Sequence, residues 1–194
     1  MRRPFATIFV LACALGLLAG CQTHRAAPAP AVMPATSIEL RTPRPGLYTA
    51  GQPAADDWAA IAAGGVGTVI DLRAPGELKD RDEAAEVRAA GLRYVSIPVA
   101  GAGGIDDANA KALRAALDAA DGPVLVHCAS GNRVGGLLAL MQARSGTMTP
   151  EQALEFGRSA GMASTEARVR ELLVAPEGRC IAQTGGSVRP EGCP

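Results

Sequence analysis

Lysine, histidine and aromatic residues are scarce in this chain of 194 residues. The sequence contains two lysines, Lys79 and Lys111, and two histidines, His24 and His127, and aromatic residues make up 3% of it. So few histidines argue against a histidine-rich metal site, and so few lysines argue against an enzyme that forms a Schiff base. We therefore expect neither a metal nor a cofactor.

An excess of charge of either sign is also missing, because Lys+Arg and Asp+Glu both number 19 and the formal net charge is +0. Proteins that bind nucleic acids normally carry an excess of basic residues on one face, so no nucleic-acid partner is expected. Hydrophobic residues make up 48% of the chain. This supplies enough apolar surface for a folded core and argues against disorder.

Long apolar runs are absent except near the amino terminus. Residues 5–20 carry no charge and follow a positively charged start, Met1-Arg2-Arg3, which is typical of a secretory signal peptide. The end of this segment, Leu18-Ala19-Gly20-Cys21, resembles the lipobox of bacterial lipoproteins. The resemblance implies that Cys21 is lipidated and begins an exported protein; an ordinary signal peptide with cleavage nearby is the alternative. Because Gln22 rather than Asp follows, we expect Cys21 to anchor the protein at the periplasmic face of the outer membrane.

The rest of the chain divides by composition into a tether, a folded domain and a tail. Residues 21–45 are rich in alanine and proline and predict a semi-extended tether that holds the domain off the membrane. Residues 46–175 carry regular hydrophobic periodicity and form the predicted domain, whereas residues 176–194 have turn residues but no periodicity. Residues 1–20 form the signal peptide that precedes them.

The sequence has five cysteines, and in an exported protein they can form disulfides, because disulfides persist outside the cytosol. Cys13 leaves with the signal peptide and Cys21 takes the lipid. A disulfide between Cys180 and Cys193 across the tail is predicted, with two free thiols as the alternative. Cys128 is then left unpaired.

Strands and helices alternate along the predicted domain. Short apolar segments that predict strands lie at residues 47–50, 66–72, 92–99 and 123–127. Helical periodicity or capping residues predict helices over residues 56–63, 81–90, 107–120, 134–144, 150–159 and 165–175. The last three strands begin roughly 30 residues apart, as in βαβ units. We therefore predict an α/β fold of three layers, a parallel sheet flanked by helices.

Ligands of such sheets bind outside the carboxyl ends of the strands, here residues 71–73, 98–100 and 127–128. The segment after the last strand, HCASGNRVG over residues 127–135, runs directly into a helix. A helix N-terminus favours an anion, and the same positive environment favours the thiolate of Cys128. Arg133 has a planar fork that suits two oxygens of a phosphate. A nucleophile, an anion cradle and a cation thus fall within six residues.

This segment resembles the phosphate-binding signature of cysteine-dependent protein tyrosine phosphatases. With YTAGQP (48–53), TVIDLR (68–73) and YVSIPV (94–99), it is similar to the beta-lactamase-hydrolase-like phosphatase family of bacteria. The resemblance implies a dual-specificity-phosphatase-like domain acting on a phosphorylated protein or small molecule. Cys128 would be the nucleophile, and the phosphate would be held by Ala129, Ser130, Gly131, Asn132 and Arg133.

The loop is one residue shorter than the usual phosphatase loop, with four residues between Cys128 and Arg133. This is the length of a rhodanese loop, in which the cysteine carries a persulfide. Three functions therefore stay open: a phosphatase that works through a phosphocysteine, a sulfurtransferase that uses a Cys128 persulfide, and a catalytically idle phosphoryl-binding module.

A phosphatase also needs a general acid for the leaving oxygen, usually an aspartate on another loop. Asp106 and Asp107 follow the glycine-rich loop at residues 100–105 and are candidates, with capping of the next helix as the alternative. Asp71 at the end of its strand is the third candidate, with a hydrogen-bonding role beside Arg73 as its alternative. Arg73 itself is expected on the surface, and His127 is expected to hydrogen-bond backbone beneath the loop.

Overall fold

The computed structural model describes residues 35–174 and contains one five-stranded sheet within them. The order across the sheet is β1-β2-β5-β3-β4; β1 is antiparallel to β2, and all other neighbours are parallel. The strands are β1 (Arg41–Arg44), β2 (Leu47–Ala50), β3 (Thr68–Asp71), β4 (Arg93–Ser96) and β5 (Val124–His127).

Six helices accompany these strands in the described part of the chain. They are α1 (Asp57–Ala63), α2 (Glu83–Ala89), α3 (Asp107–Asp118), α4 (Asn132–Arg144), α5 (Pro150–Ser159) and α6 (Glu166–Val174). Each overlaps a predicted helix, and α5 has the predicted bounds. The predicted α/β architecture is therefore confirmed, with a mixed rather than wholly parallel sheet.

The antiparallel strand β1 departs from the sequence-based expectation. Its residues were predicted to end the tether of residues 21–45, which is rich in alanine and proline. β1 lies at the edge of the sheet, however, and an edge strand tolerates proline, which has no N–H to donate. Arg41 pairs with Thr49, and a turn at Gly46 joins the two strands. The folded domain thus begins before residue 46.

Side-chain alternation sorts the strand residues onto two core layers, one on each face of the sheet. Ile70 and Val126 join the layer that contains most of α4, whereas Val69 and Leu125 join the layer around Trp58 of α1. The same alternation decides where the polar strand ends point. Asp71 and His127 share the α1 side, while Cys128 belongs to the α4 side.

Helix α4 is buried along most of its length, and glycines allow α5 to approach it closely. A methyl group added at Gly135 would lie 2.2 Å from the backbone nitrogen of Met162 and 2.4 Å from the carbonyl oxygen of Gly157. The helix that begins at the functional loop is therefore fixed by backbone-to-backbone packing.

Within residues 35–174, no helix combines the length and the apolar character needed to cross a membrane. The predicted signal peptide, the lipidation of Cys21 and the disulfide between Cys180 and Cys193 fall outside the described residues, as does the whole of the predicted tail.

Candidate active site

The segment Cys128–Arg133, called here the cysteine loop, leads from β5 into α4. Gly131 caps the helix in the left-handed conformation, with φ of 84°, which a residue with a side chain adopts at a cost. This turn directs the Gly131 N–H at the sulfur of Cys128, 3.2 Å away. Cys128 is fully buried, and among residues 35–174 it is a free cysteine. The loop therefore places the Cys128 sulfur beside the N-terminus of α4, which is the positive end of the helix.

Neighbouring segments hold the cysteine loop on two sides. The N–H of Gln52 donates to the carbonyl of Ala129 at 3.2 Å, which joins the loop to the turn after β2. On the other side, Asn132 Oδ1 accepts from the N–H of Ala163 at 2.8 Å, and Asn132 Nδ2 donates to Ser164 at 2.7 Å. The Asn132 side chain thus fixes the loop, and its predicted contribution to phosphate binding reduces to its backbone N–H.

Arg133 lies at the start of α4 and reaches across the loop. Its Nη1 donates to the carbonyl of Val99 at 2.8 Å, which fixes the guanidinium between two strand ends. Both terminal nitrogens also donate to Glu77, at 2.6 and 2.5 Å, in a bidentate pair. The hydrogen bonds from Arg133 hold the pKa of Glu77 below its usual range, and the same pair raises the pKa of Arg133, with a further contribution from the Cys128 sulfur.

A cleft of about 290 Å³ opens over this pair. Residues from four segments line it: the loop after β3, the loop after β4, the cysteine loop and the turn before α6. They are Glu77, Gly101, Ala102, Ser130, Asn132, Arg133, Ser164 and Thr165. Of the residues predicted to hold the phosphate, Ser130, Asn132 and Arg133 line this cleft. An arginine and small side chains at a helix N-terminus suit an oxyanion of phosphate size.

None of the three aspartates predicted as general acids lines this cleft. The carboxylate of Asp106 accepts from the Asn109 N–H at 2.7 Å and caps α3, which is the alternative role foreseen for it. Asp107 pairs with Arg144 at 2.7 Å, beside a different groove between α3 and α4. Asp71 points to the opposite face of the sheet. Helix capping, an ion pair and strand alternation thus engage Asp106, Asp107 and Asp71, respectively, outside the cleft.

Asp71 belongs instead to a buried group on the α1 side, called here the charge cluster and formed by Asp71, Arg73, Glu83 and His127. Arg73 donates to Asp71 through Nε at 3.0 Å and Nη2 at 2.7 Å, and Nη2 lies 2.8 Å from Glu83. The hydroxyl of Tyr94 donates to Asp71 at 2.8 Å. Burial raises the pKa of Asp71, but the hydrogen bonds and the charges around it outweigh burial and lower the pKa overall.

The charge cluster corrects two sequence-based expectations. Arg73 was expected on the surface, but it is 7% exposed because its guanidinium neutralises two buried carboxylates. His127 was expected to hydrogen-bond backbone, but its Nε2 lies 3.0 Å from Glu83, an ion-pair distance without hydrogen-bond geometry, and its ring packs near Trp58. Both side chains therefore lie in the buried charge cluster, neither at the surface nor on a backbone partner.

Carboxylate and imidazole atoms of Asp71, Glu83 and His127 lie within 4.8 Å of one another, a spacing that a metal ion would accept. The Arg73 guanidinium, however, already supplies positive charge to both carboxylates and would repel a metal ion. The donor set therefore suits a structural ion-pair network rather than a metal centre.

Comparison with known proteins places this geometry in a family. Residues 39–145 match the model of the phosphatase-like domain of beta-lactamase hydrolase-like proteins, which covers more than half of the chain. The chain belongs to this family. The family predicted from the sequence motifs is thereby confirmed.

Two curated relatives extend this finding. A beta-lactamase hydrolase-like protein of Xylella fastidiosa (strain Temecula1 / ATCC 700964) is 35% identical over 119 residues, which are 59% of this chain and 27% of that protein. The chain thus spans only about a quarter of the length of that relative. The dual specificity protein phosphatase TpbA of Pseudomonas aeruginosa (strain UCBPP-PA14) is 36% identical over 150 residues, 72% of this chain and 66% of TpbA.

A crystal structure of P. aeruginosa TpbA in complex with pTyr has the same fold. It superposes with a TM-score of 0.58 at 27% sequence identity, covering 78% of this chain and 93% of that chain. The predicted dual-specificity-phosphatase-like fold is confirmed by this likeness.

Two functional candidates in this phosphatase-like domain escaped sequence reasoning, Glu77 and Glu83. Glu77 follows β3 at the same sheet edge as the cysteine loop, in the sequence TVIDLRAPGE, so the position of its loop was a usable signal. Glu83 begins α2, where an acidic residue ordinarily serves the helix N-terminus. Its burial beside Arg73 and His127 comes from the packing of α2 on the sheet, for which the sequence carries no local signal.

Proposed function

We propose that this protein is a phosphoric monoester hydrolase of the protein tyrosine/dual-specificity phosphatase type, acting through a phosphocysteine on Cys128. The observation that carries the proposal is the arrangement of the cysteine loop. The Gly131 N–H points at the Cys128 sulfur, and Arg133 from the same loop lines the cleft and is fixed by the carbonyl of Val99. Membership of a phosphatase-like family supports this assignment.

The proposed reaction has two covalent steps. The Cys128 thiolate attacks phosphorus, so that the S–P bond forms while the bond from phosphorus to the leaving oxygen breaks and that oxygen takes up a proton. Water then attacks phosphorus and gives up a proton, the S–P bond breaks, and phosphate and the thiolate are released. Arg133 and the loop N–H groups stabilise the equatorial oxygens in both steps.

The substrate class follows from the cleft and from the relatives. The TpbA structure holds pTyr, which supports a phosphorylated protein or small molecule as the substrate here. The cleft walls of Gly101, Ala102 and Ser130 have small, uncharged side chains. Contacts to the phosphate therefore supply most of the binding free energy of the substrate. We therefore expect turnover of simple aryl phosphates as well as larger esters.

Aryl phosphate hydrolysis by the full-length protein in detergent tests this function. Cys128→Ser is expected to lower kcat by at least about 10³-fold while phosphotyrosine binding persists, because the hydroxyl is a much weaker nucleophile. Arg133→Lys is expected to lose most of the activity, since lysine lacks the bidentate fork. Arg144→Lys on the same helix is the matched control and should keep full activity. Activity in Cys128→Ser equal to that of the wild type would overturn the proposal.

The loop length favours one competing function, sulfur transfer from a Cys128 persulfide. Four residues separate Cys128 and Arg133, as in rhodaneses. Formation of thiocyanate from thiosulfate and cyanide, without hydrolysis of aryl phosphates, would establish that function. If both assays are silent while phosphotyrosine still raises the melting temperature, the domain is a phosphoryl-binding module.

Export and lipidation form a separate part of the proposal, which rests on the lipobox-like sequence that ends at Cys21. Two or more acyl chains at this residue would anchor the domain at the periplasmic face of the outer membrane. Cells that express the full-length protein should incorporate labelled palmitate into it, and Cys21→Ser should abolish incorporation and release the protein from the membrane fraction. Equal labelling of both proteins would contradict the proposal.

A further inference from the structure

The cleft contains one carboxylate in the described part of the chain, that of Glu77. The loop over the cleft after β4, residues 100–104, consists of alanine and glycine and offers no acid. The aspartates that follow it, Asp106 and Asp107, are committed to the α3 cap and to Arg144. A proton donor for the leaving oxygen therefore has to come from the other side of the cleft.

Glu77 is held there by its own turn. Its N–H donates to the carbonyl of Ala74 at 3.2 Å, and its Oε1 accepts from the N–H of Ala74 at 2.8 Å. Its side chain is 31% exposed at the mouth of the cleft, whereas Arg133 beneath it is 11% exposed. The carboxylate thus covers the guanidinium from the solvent side, and its two oxygens occupy the Nη1–Nη2 edge of the fork, an edge that also suits two phosphate oxygens.

We propose that Glu77 is the catalytic acid and base of this domain, and that the phosphate of the substrate releases it by taking its place on Arg133. The inference rests on the phosphatase function proposed above. The exchange is favourable because a phosphate dianion meets the Arg133 fork, the loop N–H groups and the α4 N-terminus together. The Glu77 monoanion meets the fork and a single backbone N–H, that of Ala74.

The exchange also prepares Glu77 for proton transfer. In the free protein the hydrogen bonds from Arg133 keep the pKa of Glu77 low, so the carboxylate is ionised. After displacement those bonds are lost and the dianion stands nearby, and both changes raise the pKa of a carboxyl group. The turn at residues 74–77 keeps the displaced side chain beside the phosphate rather than in bulk solvent.

The proton balance begins with the displaced Glu77 carboxylate, which takes up one proton from water as its pKa rises. In the first step the S–P bond forms, the bond from phosphorus to the ester oxygen breaks, and the Glu77 carboxyl gives its proton to that oxygen and becomes a carboxylate. In the second step the Glu77 carboxylate takes a proton from water as the water oxygen bonds to phosphorus and the S–P bond breaks. Phosphate leaves, Glu77 gives its proton to water as it returns to Arg133, and the thiolate and the ionised Glu77 of the free protein are restored.

Comparison of two substrates with different leaving groups tests the role of Glu77. We expect Glu77→Gln to reduce kcat on phenyl phosphate by about 10²-fold or more, because phenolate is a poor leaving group that needs the proton. The loss on p-nitrophenyl phosphate should be much smaller, since nitrophenolate leaves readily without it. Glu77→Asp should restore part of the activity on phenyl phosphate. Glu155→Gln on the exposed face of α5 is the matched control and should behave as the wild type.

Three results would overturn the inference, and they separate it from the phosphatase proposal. Higher activity of Glu77→Gln on both substrates would mean that the carboxylate merely competes with phosphate. An equal loss on both substrates, with the melting temperature unchanged, would mean that Glu77 only orients Arg133. In either case the phosphatase function stands. If the wild type hydrolyses neither substrate, the phosphatase proposal fails and the inference fails with it.

Discussion

Single residues in this domain take their roles from the face of the sheet on which they lie. Asp71 and His127 are register partners on β3 and β5, so their side chains share one face. Cys128, the next residue after His127, packs with the opposite layer. One step along the strand thus separates the buried ion pairs from the nucleophile. None of the four residues of the charge cluster therefore lines the cleft.

The most consequential single residue of the charge cluster is Arg73. Arg73→Met would leave the carboxylates of Asp71 and Glu83 buried with no guanidinium between them. We expect the free energy of unfolding to fall by about 3–5 kcal/mol, as when one partner of a buried ion pair is removed. Urea unfolding measures it, with Lys79→Met at an exposed position as the control. A loss no larger than that of the control would show that the cluster contributes no stability.

At the level of secondary structure, predictions succeeded where local chemistry defines an element. Helix α5 has its predicted bounds because Thr149 and Gln152 form a capping box and Pro150 occupies the first turn. Strand β1 was missed because its proline, Pro43, suits only an edge strand. Edge position is decided by the order of strands rather than by the segment itself.

The same distinction applies to the candidate site: contacts within one segment could be predicted from the sequence, whereas contacts between distant segments could not. The cysteine loop was recognisable because its nucleophile, its glycine turn and its arginine are contiguous in sequence. The bidentate pair of Glu77 with Arg133 joins residues 56 positions apart. It depends on how the loop after β3 folds back over the loop after β5. No periodicity or cap in the sequence encodes that approach.

The packing of α4 on α5 gives a second stability prediction. In Gly135→Ala the new methyl group would meet the backbone of Met162 and Gly157 at 2.2 and 2.4 Å, so the two helices must move apart. We expect a loss of about 1–3 kcal/mol in the free energy of unfolding, as for overpacked cores. The start of α4 carries Arg133, so catalytic activity should fall as well. Gly103→Ala, whose added methyl group lies 3.9 Å from its nearest neighbour, is the control for stability.

Across the whole molecule, hydrogen-bonded carboxyl groups link distant elements. Burial raises the pKa of Asp57 and Asp71, but hydrogen bonds from Ser37 and Arg73, among others, lower it overall. Three glutamates have a lowered pKa chiefly through hydrogen bonds from arginine: Glu77, Glu86 and Glu166. For all five, the folded protein holds its proton less tightly than the unfolded chain, whose reference values are 3.8 for aspartate and 4.5 for glutamate.

The whole domain should therefore lose stability in acid. As the pH falls below about 4.5, the unfolded chain takes up protons before the folded protein does, so the free energy of unfolding decreases until the folded-state pKa values are passed. At the alkaline end, burial and the hydrogen bond to Asp71 raise the pKa of Tyr94, so stability should also decrease above pH 10, where the unfolded tyrosine ionises. Urea unfolding between pH 3 and pH 11 measures both losses of stability, called here the acid limb and the alkaline limb of the curve of unfolding free energy against pH.

Two variants assign these limbs to one buried contact, that between Asp71 and Tyr94. Asp71→Asn lowers stability at neutral pH but should make the acid limb shallower, because one of the five linked carboxyl groups no longer titrates. Tyr94→Phe should remove the Tyr94 contribution to the alkaline limb and leave the acid limb nearly unchanged. Exposed Asp118→Asn serves as the control and should reproduce the wild-type curve. If the acid limb were equally steep in Asp71→Asn and the wild type, the Asp71 pKa would be the same in the folded and unfolded states. That result would contradict the conclusion that hydrogen bonds from Arg73 and Tyr94 lower the pKa of Asp71.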